Sequence, residues 1–279
     1  MIKKEIPYFD LEKISNSGQC FRLARRGEER FALTAMGRYL EMEQRGAEVC
    51  FYCDRKEFED IWETYFDLRA DYEKIENCVD PDDAYLSRAV QCASGVRILR
   101  QELWETVVSF IISQQNHIPR IRKCVETLCR SYGEPRVNLW GETYFAFPGP
   151  ERLAAVSEEE LRRCNLGYRA KYIRKSAEMA VTGVVDLKRI AGLEYSAAKA
   201  ELMKLCGVGI KVAECICLFA LHHIEAFPVD THIQDMLREN YPDGFPFERY
   251  QGIAGVMQQY AFYYELWGEK EILQERRTS

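Results

Sequence analysis

A lysine lies two residues after a pair of glycines in the stretch LCGVGIKVAECICL, which covers residues 205–218. Glycine permits positive φ angles and a close backbone approach, so this stretch predicts two helices joined by a tight hairpin, with the second helix beginning near Ile210. The free amides and the positive dipole end at that helix start suit an anion such as a phosphate. The pattern is short, and an ordinary glycine-capped hairpin explains it equally well.

Lys211 lies in the first turn of this predicted helix, where the helix dipole disfavours a positive charge. The dipole there favours the neutral amine, which is the form that attacks carbon. A lysine is usually a solvated surface charge, so this unfavourable position indicates a use in chemistry.

Asp230 follows Pro228 and Val229 and comes directly before another predicted helix, THIQDML. Its ordinary role is an N-cap. A capped carboxylate is also held rigidly, and we expect it to face the site that Lys211 enters. An amine and a carboxylate together suit cleavage of the glycosidic bond of a nucleoside. The carboxylate stabilises an oxocarbenium-like transition state, and the amine traps the sugar carbon as a Schiff base.

The elements that position these residues fall into two groups. Residues 19–53 form short alternating runs separated by glycine-containing turns, which is typical of antiparallel strands. From about residue 85, apolar residues recur at spacings of three and four, which predicts helices only. Ser157 before three glutamates predicts a helix start, and Gly133 and Gly183 predict helix ends. We therefore predict an α+β fold, with an N-terminal α+β domain over residues 1–85 and a helical domain over residues 86–279.

The composition is that of an ordinary globular protein, with 279 residues of which 47% are apolar and 29% charged. No apolar run reaches the roughly 20 residues that cross a bilayer, and the charged N-terminus lacks the apolar core of a signal peptide. These features predict an intracellular location, in the cytoplasm or nucleoid, and no membrane partner.

The net charge of −6 argues only weakly against a nucleic-acid partner because the charge is unevenly distributed. Residues 1–85 carry 13 basic and 20 acidic groups, whereas residues 86–279 carry 25 basic and 24 acidic groups. Residues 161–175 hold six basic residues and no acidic one, and residues 120–123 add three more. Such clusters form positive patches that suit phosphates, although a solvated helix face explains them equally well.

The 11 cysteines follow no regular disulfide spacing, so we expect most of them to be reduced and buried. Cys50 and Cys53 form a lone CxxC without a second pair at zinc spacing, and we therefore predict no metal site. No cysteine follows Cys217.

At this point the motifs resemble a known family, the 8-oxoguanine DNA glycosylases of the helix-hairpin-helix superfamily. The glycine hairpin with its lysine and the PVDTH stretch carry the resemblance to the superfamily. Three further stretches narrow it to this family: SGQCFR (17–22), GVRILRQELWETVVSFIISQQNHIPRI (95–121) and LGYRAKYI (166–173). The stretches are in order along nearly the whole chain, which makes the resemblance specific.

The resemblance implies a sheet domain like one repeat of the TATA-binding protein, followed by a helical glycosylase domain. It also implies a bifunctional DNA glycosylase and AP lyase of base excision repair. Lys211 then displaces the oxidised base, forms an imine with the deoxyribose and permits β-elimination, while Asp230 stabilises the developing sugar cation. The implied partner is duplex DNA containing an oxidised purine, bound by a monomer.

The resemblance also implies a pocket for the flipped base. Family members hold that base between a cysteine and a phenylalanine, whose places are taken here by Cys215 and Phe262. Gln258 matches the glutamine that reads the pairing edge of the base. Gly18 matches a glycine whose carbonyl distinguishes 8-oxoguanine, which carries a hydrogen at N7, from guanine, whose N7 accepts. From spacing alone, a core cysteine is the favoured interpretation of Cys215.

The remaining implied residues contact DNA outside that pocket. Tyr168 matches a wedge residue, and Arg120 and Arg169 match the pair that contacts the orphaned cytosine. Gln115 stands where eukaryotic-type enzymes have an asparagine, which leaves the strictness of cytosine preference open. The resemblance also allows a cation that bridges the hairpin and a DNA phosphate, and no other cofactor is expected. The implied phosphate contacts are Gly207, Gly209, Val212 and His232.

Three alternatives differ in testable features. Endonuclease III-like enzymes also use the lysine but carry a four-cysteine iron–sulfur cluster near the C-terminus, so the lack of cysteines after Cys217 argues against them and predicts no cluster. Alkyl-purine and adenine glycosylases generally lack the lysine. A DNA-binding module without catalysis is the third alternative, and the presence of both Lys211 and Asp230 favours an enzyme over it.

Overall fold

The computed structural model describes the backbone of residues 1–278 and the side chains of residues 1–268. Five strands form an antiparallel sheet in the N-terminal part of the chain, namely β1 (Ile2–Glu5), β2 (Leu23–Arg25), β3 (Arg30–Ala35), β4 (Arg38–Arg45) and β5 (Glu48–Phe51). Their order across the sheet is β1-β5-β4-β3-β2. Strands β2 to β5 confirm the prediction from alternation, since Leu33 pairs with Leu40 on the buried face.

Helices dominate the remainder. The short ones are α1 (Leu11–Asn16), α2 (Arg55–Glu57), α3 (Glu63–Tyr65), α4 (Tyr72–Glu76), α8 (Pro150–Ala154), α9 (Glu158–Leu161), α11 (Leu187–Ile190) and α12 (Tyr195–Leu202). The long ones are α5 (Ala84–Ala93), α6 (Leu103–Ser113), α7 (Ile118–Tyr132), α10 (Arg169–Val181), α13 (Ile210–Phe219), α14 (Thr231–Asn240) and α15 (Ala254–Thr278). Two π-helical turns lie at Phe58–Trp62 and Arg162–Leu166. No helix within the described part of the chain is both long enough and apolar enough to span a bilayer.

The prediction that only helices follow residue 85 is wrong at one place. β6 (Pro135–Val137) and β7 (Thr143–Phe145) form an antiparallel hairpin between α7 and α8. The side chain of Asn138 accepts hydrogen bonds from the amides of Trp140 and Glu142, and Gly141 has a φ of +80°. Local turn contacts thus close a hairpin whose three-residue strands are too short to show an alternation in the sequence.

The predicted helix ends are confirmed. Ser157 forms a capping box with Glu160 at the start of α9. Gly183 has a φ of +73° just after α10, and Gly133 caps α7. A Cβ at Gly133 would lie 2.0 Å from the carbonyl oxygen of Ala146, so glycine is needed there for the close approach of the segment after β7.

Two hydrophobic cores underlie this architecture. One fills the space between the sheet and the helical segment of residues 55–66, and it includes Leu99. The other lies among the helices from α5 to α15 and also takes in Phe21 and Tyr72. The segment before residue 85 therefore contributes to both cores, and the domain boundary at that residue stays a prediction.

A buried charged network joins the two cores. Arg97 is 3% exposed and donates to the backbone carbonyls of Pro7, Tyr8 and Asp67. Arg100 donates to the carboxylate of Asp67 at 2.9 Å. Because buried ionic groups tolerate little displacement of their partners, this network fixes the segment between β1 and α1 against the chain around Asp67 and Arg97.

Candidate functional site

Three helices, α7, α13 and α14, begin around one cleft of about 840 Å³. Its lining includes Ile118, Ile210 and Thr231, which are the first residues of these helices. Each helix start carries roughly half a positive charge from its aligned peptide dipoles. The lining that the structure describes contains one carboxylate, Asp230. The cleft is therefore electrostatically suited to a ligand with several negative charges.

Lys211 projects from the first turn of α13 into this cleft. Its Nζ lies 5.5 Å from the centroid of the Phe110 ring, at cation–π distance. Phe110 itself stacks on Phe219, with 5.5 Å between ring centroids and 16° between planes. The stacked pair of rings thus packs beneath the amine, and Phe110 was not among the residues that the sequence analysis predicted.

The two glycines of the hairpin before Lys211 differ in their surroundings: Gly207 packs against another side chain, whereas Gly209 faces open space. Gly207 has a φ of +83°, and a Cβ there would lie 2.6 Å from the ring of Tyr172. A Cβ at Gly209 would meet nothing within 4 Å, so the space beside its backbone is open to a ligand. The first bond of the α13 ladder runs from Ala213 N to Gly209 O at 2.9 Å. The amides of residues 210–212 precede this ladder and therefore have no partner within the helix.

Asp230 is the N-cap of α14, where its Oδ1 accepts a hydrogen bond from Ile233 N at 3.0 Å. The capping bond fixes the side chain at the edge of the cleft. Asp230 and Lys211 line both the cleft and a smaller recess behind it. The structure thus brings the amine and the carboxylate to one place from two separate helix starts.

A buried carboxylate, Glu214, connects these two helix starts and was not predicted as functional. It is 6% exposed and accepts hydrogen bonds from Tyr195 OH at 2.5 Å and Phe227 N at 3.1 Å. Lys199 also donates to it. The network joins α12, α13 and the loop that leads to Asp230. An acidic residue in the otherwise apolar run VAECICLF was the available signal.

The recess behind Lys211 has a volume of about 30 Å³. Cys215, Gly18 and Phe262 form parts of its wall. Burial raises the pKa of the Cys215 thiol, against a smaller opposing effect of the Lys211 ammonium, so the thiol is neutral at pH 7. The recess has room for about one water molecule, and its walls must separate before a purine can enter.

Gln258 leaves an acceptor unsatisfied at this recess. Its side chain is 4% exposed, and its Nε2 donates to Pro228 O at 3.0 Å. Because a carbonyl can only accept, the amide nitrogen must face Pro228. The Oε1 atom is buried and has no donor among the residues that the structure describes. Such an orphaned acceptor costs about 1–3 kcal/mol, which a ligand with an N–H group recovers.

The loop after α1 forms the wall opposite Phe262. Gly18 has a φ of +74°, and a Cβ there would lie 2.9 Å from Cε1 of Phe262. Ser17, its neighbour, is fully buried, and Ser17 O accepts a hydrogen bond from Gln259 Nε2 at 2.6 Å. Gln259 is a further residue that sequence patterns did not mark, since its partner lies 242 positions away.

The predicted wedge lies at the edge of the cleft. Tyr168 is 43% exposed, and its hydroxyl donates to Gln115 Oε1 at 3.3 Å. Arg169 is 4% exposed, stacks 4.7 Å from the Tyr168 ring and donates to the carbonyls of Gln114 and Gln115. The Arg169 guanidinium thus packs against the ring of Tyr168, the predicted wedge residue. The contact of Arg169 with an orphaned base stays a prediction. Arg120 is exposed in the first turn of α7.

Most of the predicted residues converge on this cavity. His232 follows Asp230 in α14, with its ring 6.1 Å from that of Phe262. Gly207, at the rim, is tied to the cleft because its carbonyl accepts from Gln114 Nε2 at 2.9 Å. The predicted residues that line the cleft or its recess are Gly18, Gln115, Gly209, Lys211, Val212, Cys215, Asp230, His232, Gln258 and Phe262.

Cys50 and Cys53 lie apart from the cleft, at the end of β5. Within the described residues, no three side chains of His, Cys, Asp or Glu are placed to share a metal ion.

Sequence comparison shows that two known protein families match successive parts of the chain. The family described as "8-oxoguanine DNA glycosylase, N-terminal domain" matches residues 1–107, and the family described as "HhH-GPD superfamily base excision DNA repair protein" matches residues 108–242. The N-glycosylase/DNA lyase of Saccharomyces cerevisiae is 37% identical over 158 residues, which are 53% of this chain and 42% of the yeast protein. The chain spans less than two thirds of the length of the curated relatives it matches.

Solved structures resemble the whole chain more closely. MBOgg1, in complex with a low-affinity DNA ligand, is 34% identical and superposes with a TM-score of 0.89 over 95% of each chain. The 8-oxoguanine glycosylase/lyase of Clostridium acetobutylicum, bound to double-stranded DNA containing cytosine opposite 8-oxoguanine, is 32% identical with a TM-score of 0.88. That match covers 96% of this chain and 98% of the clostridial one.

Proposed function

Because the chain belongs to the 8-oxoguanine DNA glycosylase family within the HhH-GPD superfamily, we propose that it excises 8-oxoguanine from duplex DNA in base excision repair and then cleaves the strand. One observation carries this proposal. Lys211 and Asp230 together line the mouth of a recess in which Gln258 holds an unsatisfied acceptor. A nucleophile, a carboxylate and a base-reading group are thus within one cavity.

The chemistry uses the amine and the carboxylate in sequence. The neutral amine of Lys211 attacks C1′ of the deoxyribose while the bond from C1′ to the base nitrogen breaks, and the base leaves with that electron pair. Opening of the sugar at the C1′–O4′ bond gives an imine with the lysine. Removal of a C2′ proton then expels the 3′ phosphate, which nicks the strand. The carboxylate of Asp230 stabilises the positive charge that develops on the sugar.

Recognition of the base follows from the groups around the recess. The pairing edge of a guanine-type base offers N–H donors, which match the orphaned Gln258 Oε1. The ring fits between Cys215 and Phe262 once the recess has widened. The Gly18 carbonyl accepts the N7 hydrogen of 8-oxoguanine and repels the N7 lone pair of guanine. These roles account for a buried acceptor and a glycine that the chain places against Phe262.

Binding of the duplex uses the helix starts around the cleft. The free amides at Gly209 and Val212, together with His232, contact backbone phosphates, with room for a cation beside the hairpin. Flipping the base leaves a gap in the duplex, which Tyr168 and Gln115 fill, while Arg120 and Arg169 contact the orphaned base. One flipped base occupies one cleft, so a monomer suffices for the reaction. The protein acts where the cell holds its DNA.

Borohydride trapping on duplex DNA containing 8-oxoguanine tests this function. The reagent reduces an imine to a stable bond, so we expect a covalent protein–DNA adduct with the native sequence and with Lys56→Gln, an exposed control on α2. Lys211→Gln should form no adduct. An adduct that persists in Lys211→Gln would refute the role of the lysine. Binding of DNA without an adduct on any lesion would instead indicate a non-catalytic module.

A further inference from the structure

Gln259 ties the C-terminal helix to the loop that forms one wall of the recess. Its side chain is 1% exposed, and its Nε2 donates to Ser17 O at 2.6 Å. The same helix, α15, carries Gln258 beside it and Phe262 one turn further on. Helix α15 therefore carries the unsatisfied acceptor of Gln258, the ring of Phe262 and the side chain of Gln259, which anchors the loop around Gly18.

The anchored loop is otherwise held on both sides of Gly18. Ser17 Oγ donates to Ile14 O at 2.7 Å and accepts from Gln19 Nε2 at 2.9 Å. Gln19 in turn accepts from Leu99 N at 2.8 Å. The chain thus fixes the two residues that flank Gly18 rather than Gly18 itself.

Gly18 needs such external support because glycine restrains its own backbone least. The Ser17 carbonyl and the Gly18 amide belong to one planar peptide unit, so a bond that fixes the carbonyl also fixes the plane from which Gly18 begins. The orientation of Gly18 toward the recess then depends on the donor at residue 259. An apolar side chain of the same size would fill the space without setting this orientation.

We propose that Gln259 is a positioning residue for substrate discrimination. By holding the Ser17 carbonyl, it sets how Gly18 faces the base between Cys215 and Phe262, and it thereby determines how strongly the oxidised purine is preferred over guanine. The proposal rests on the proposed function of the site. It assigns to Gln259 no contact with the substrate and no part in the lyase step.

The test compares two reactions of one cavity. Excision of 8-oxoguanine requires a base in the recess, whereas nicking at a preformed abasic site requires Lys211 but no base. Gln259→Met keeps the size and removes the donor, and Gln259→Leu removes the donor with a second apolar shape. Gln259→Asn keeps the donor but shortens its reach, and it carries the test if the other two do not fold. Gln91→Met, an exposed position on α5, is the control.

We expect single-turnover excision by the Gln259 variants to fall about tenfold, the factor that corresponds to the net free energy of one hydrogen bond. Nicking at the abasic site should stay within about twofold of the native rate, since its groups are untouched. The ratio of affinities for duplexes with 8-oxoguanine and with guanine should fall as well. The inference is overturned if excision and abasic nicking decline together, or if the affinity ratio does not change. Failure of the native protein to excise 8-oxoguanine would overturn the proposed function itself, and this inference with it.

Discussion

The carboxylate of Glu214 accepts a hydrogen bond from the backbone amide of Phe227 at 3.1 Å. Glu214 lies on the helix of Lys211, and Phe227 lies three residues before Asp230. The contact therefore sets the distance between the helix that supplies the amine and the loop that supplies the carboxylate. Lys199 and Tyr195 complete the shell of this buried acid.

Removing that acid should destabilise the protein strongly. Glu214→Ala leaves the Lys199 ammonium without its partner and the Phe227 amide without an acceptor, so we expect the free energy of unfolding to fall by about 3–5 kcal/mol. Glu214→Gln should cost less, because the amide oxygen still accepts from Phe227. Denaturant unfolding measures both. Glu201→Gln, which removes an exposed ion pair with Lys204, is the control and should change stability by less than about 1 kcal/mol.

Exchange of Asp230 for asparagine should separate catalysis from folding. Asparagine also caps helices, so α14 and DNA binding should survive. The lost charge no longer stabilises the sugar cation, and we expect single-turnover excision to fall by about 100- to 1,000-fold. Fluorescence anisotropy with a lesion-containing duplex measures binding in parallel. Asp186→Asn is a matched control, since Asp186 caps α11 in the same way. An unchanged excision rate in Asp230→Asn would contradict the catalytic role of the carboxylate.

Gln115 has a φ of +48°, in the left-handed region where asparagine is tolerated better than glutamine. The exposed hydrogen bond to Tyr168, at 3.3 Å, offsets little of this strain. We therefore expect Gln115→Asn to raise the free energy of unfolding by up to about 1 kcal/mol. Met36 has a φ of +53° in the turn between β3 and β4, so Met36→Asn is a comparison away from the cleft. If the substitution at residue 36 raises the free energy of unfolding and the one at residue 115 does not, the backbone at residue 115 accommodates glutamine without strain.

The parts of the fold that could be predicted from the sequence are those decided within a few residues. The glycine hairpin, the helix start near Ile210 and the cap at Asp230 each depend on local chemistry. The alternating strands of the sheet are likewise a local pattern. The convergence of Lys211 with Asp230 could be anticipated because both stand at helix starts close in sequence.

The residues that were missed depend on partners far along the chain. Gln259 meets Ser17 across 242 positions, and no periodicity in α15 marks it among the neighbouring residues. Phe110 was not predicted either, because its contact with Lys211 depends on how α6 packs against α13. The unsatisfied oxygen of Gln258 is likewise invisible in the sequence, because it follows from the direction in which Pro228 O holds the amide.

Glu105 gives the protein a pH dependence below neutrality. Its side chain is 13% exposed, and burial raises its pKa to about 7, although Arg22 at 3.8 Å opposes the shift. The same carboxyl titrates near 4.5 in the unfolded chain. Between these values the folded protein binds more protons than the unfolded one. Stability therefore falls as pH rises through this window, by at most about 1.4 kcal/mol per pH unit, and the contribution is constant above about pH 7.

Glu105→Gln cannot titrate and should remove this slope. Urea unfolding of both proteins from about pH 5 to pH 8 measures the difference between their free energies of unfolding. As the pH rises to about 7, we expect the free energy of unfolding of the variant to increase relative to that of the native protein. Above that pH the difference should stay level. The attraction between Arg22 and the ionised Glu105 already contributes to that pKa of about 7, so its loss in the variant does not reverse the direction of the slope. A difference that is constant from the acidic end of the range would contradict the raised pKa of Glu105.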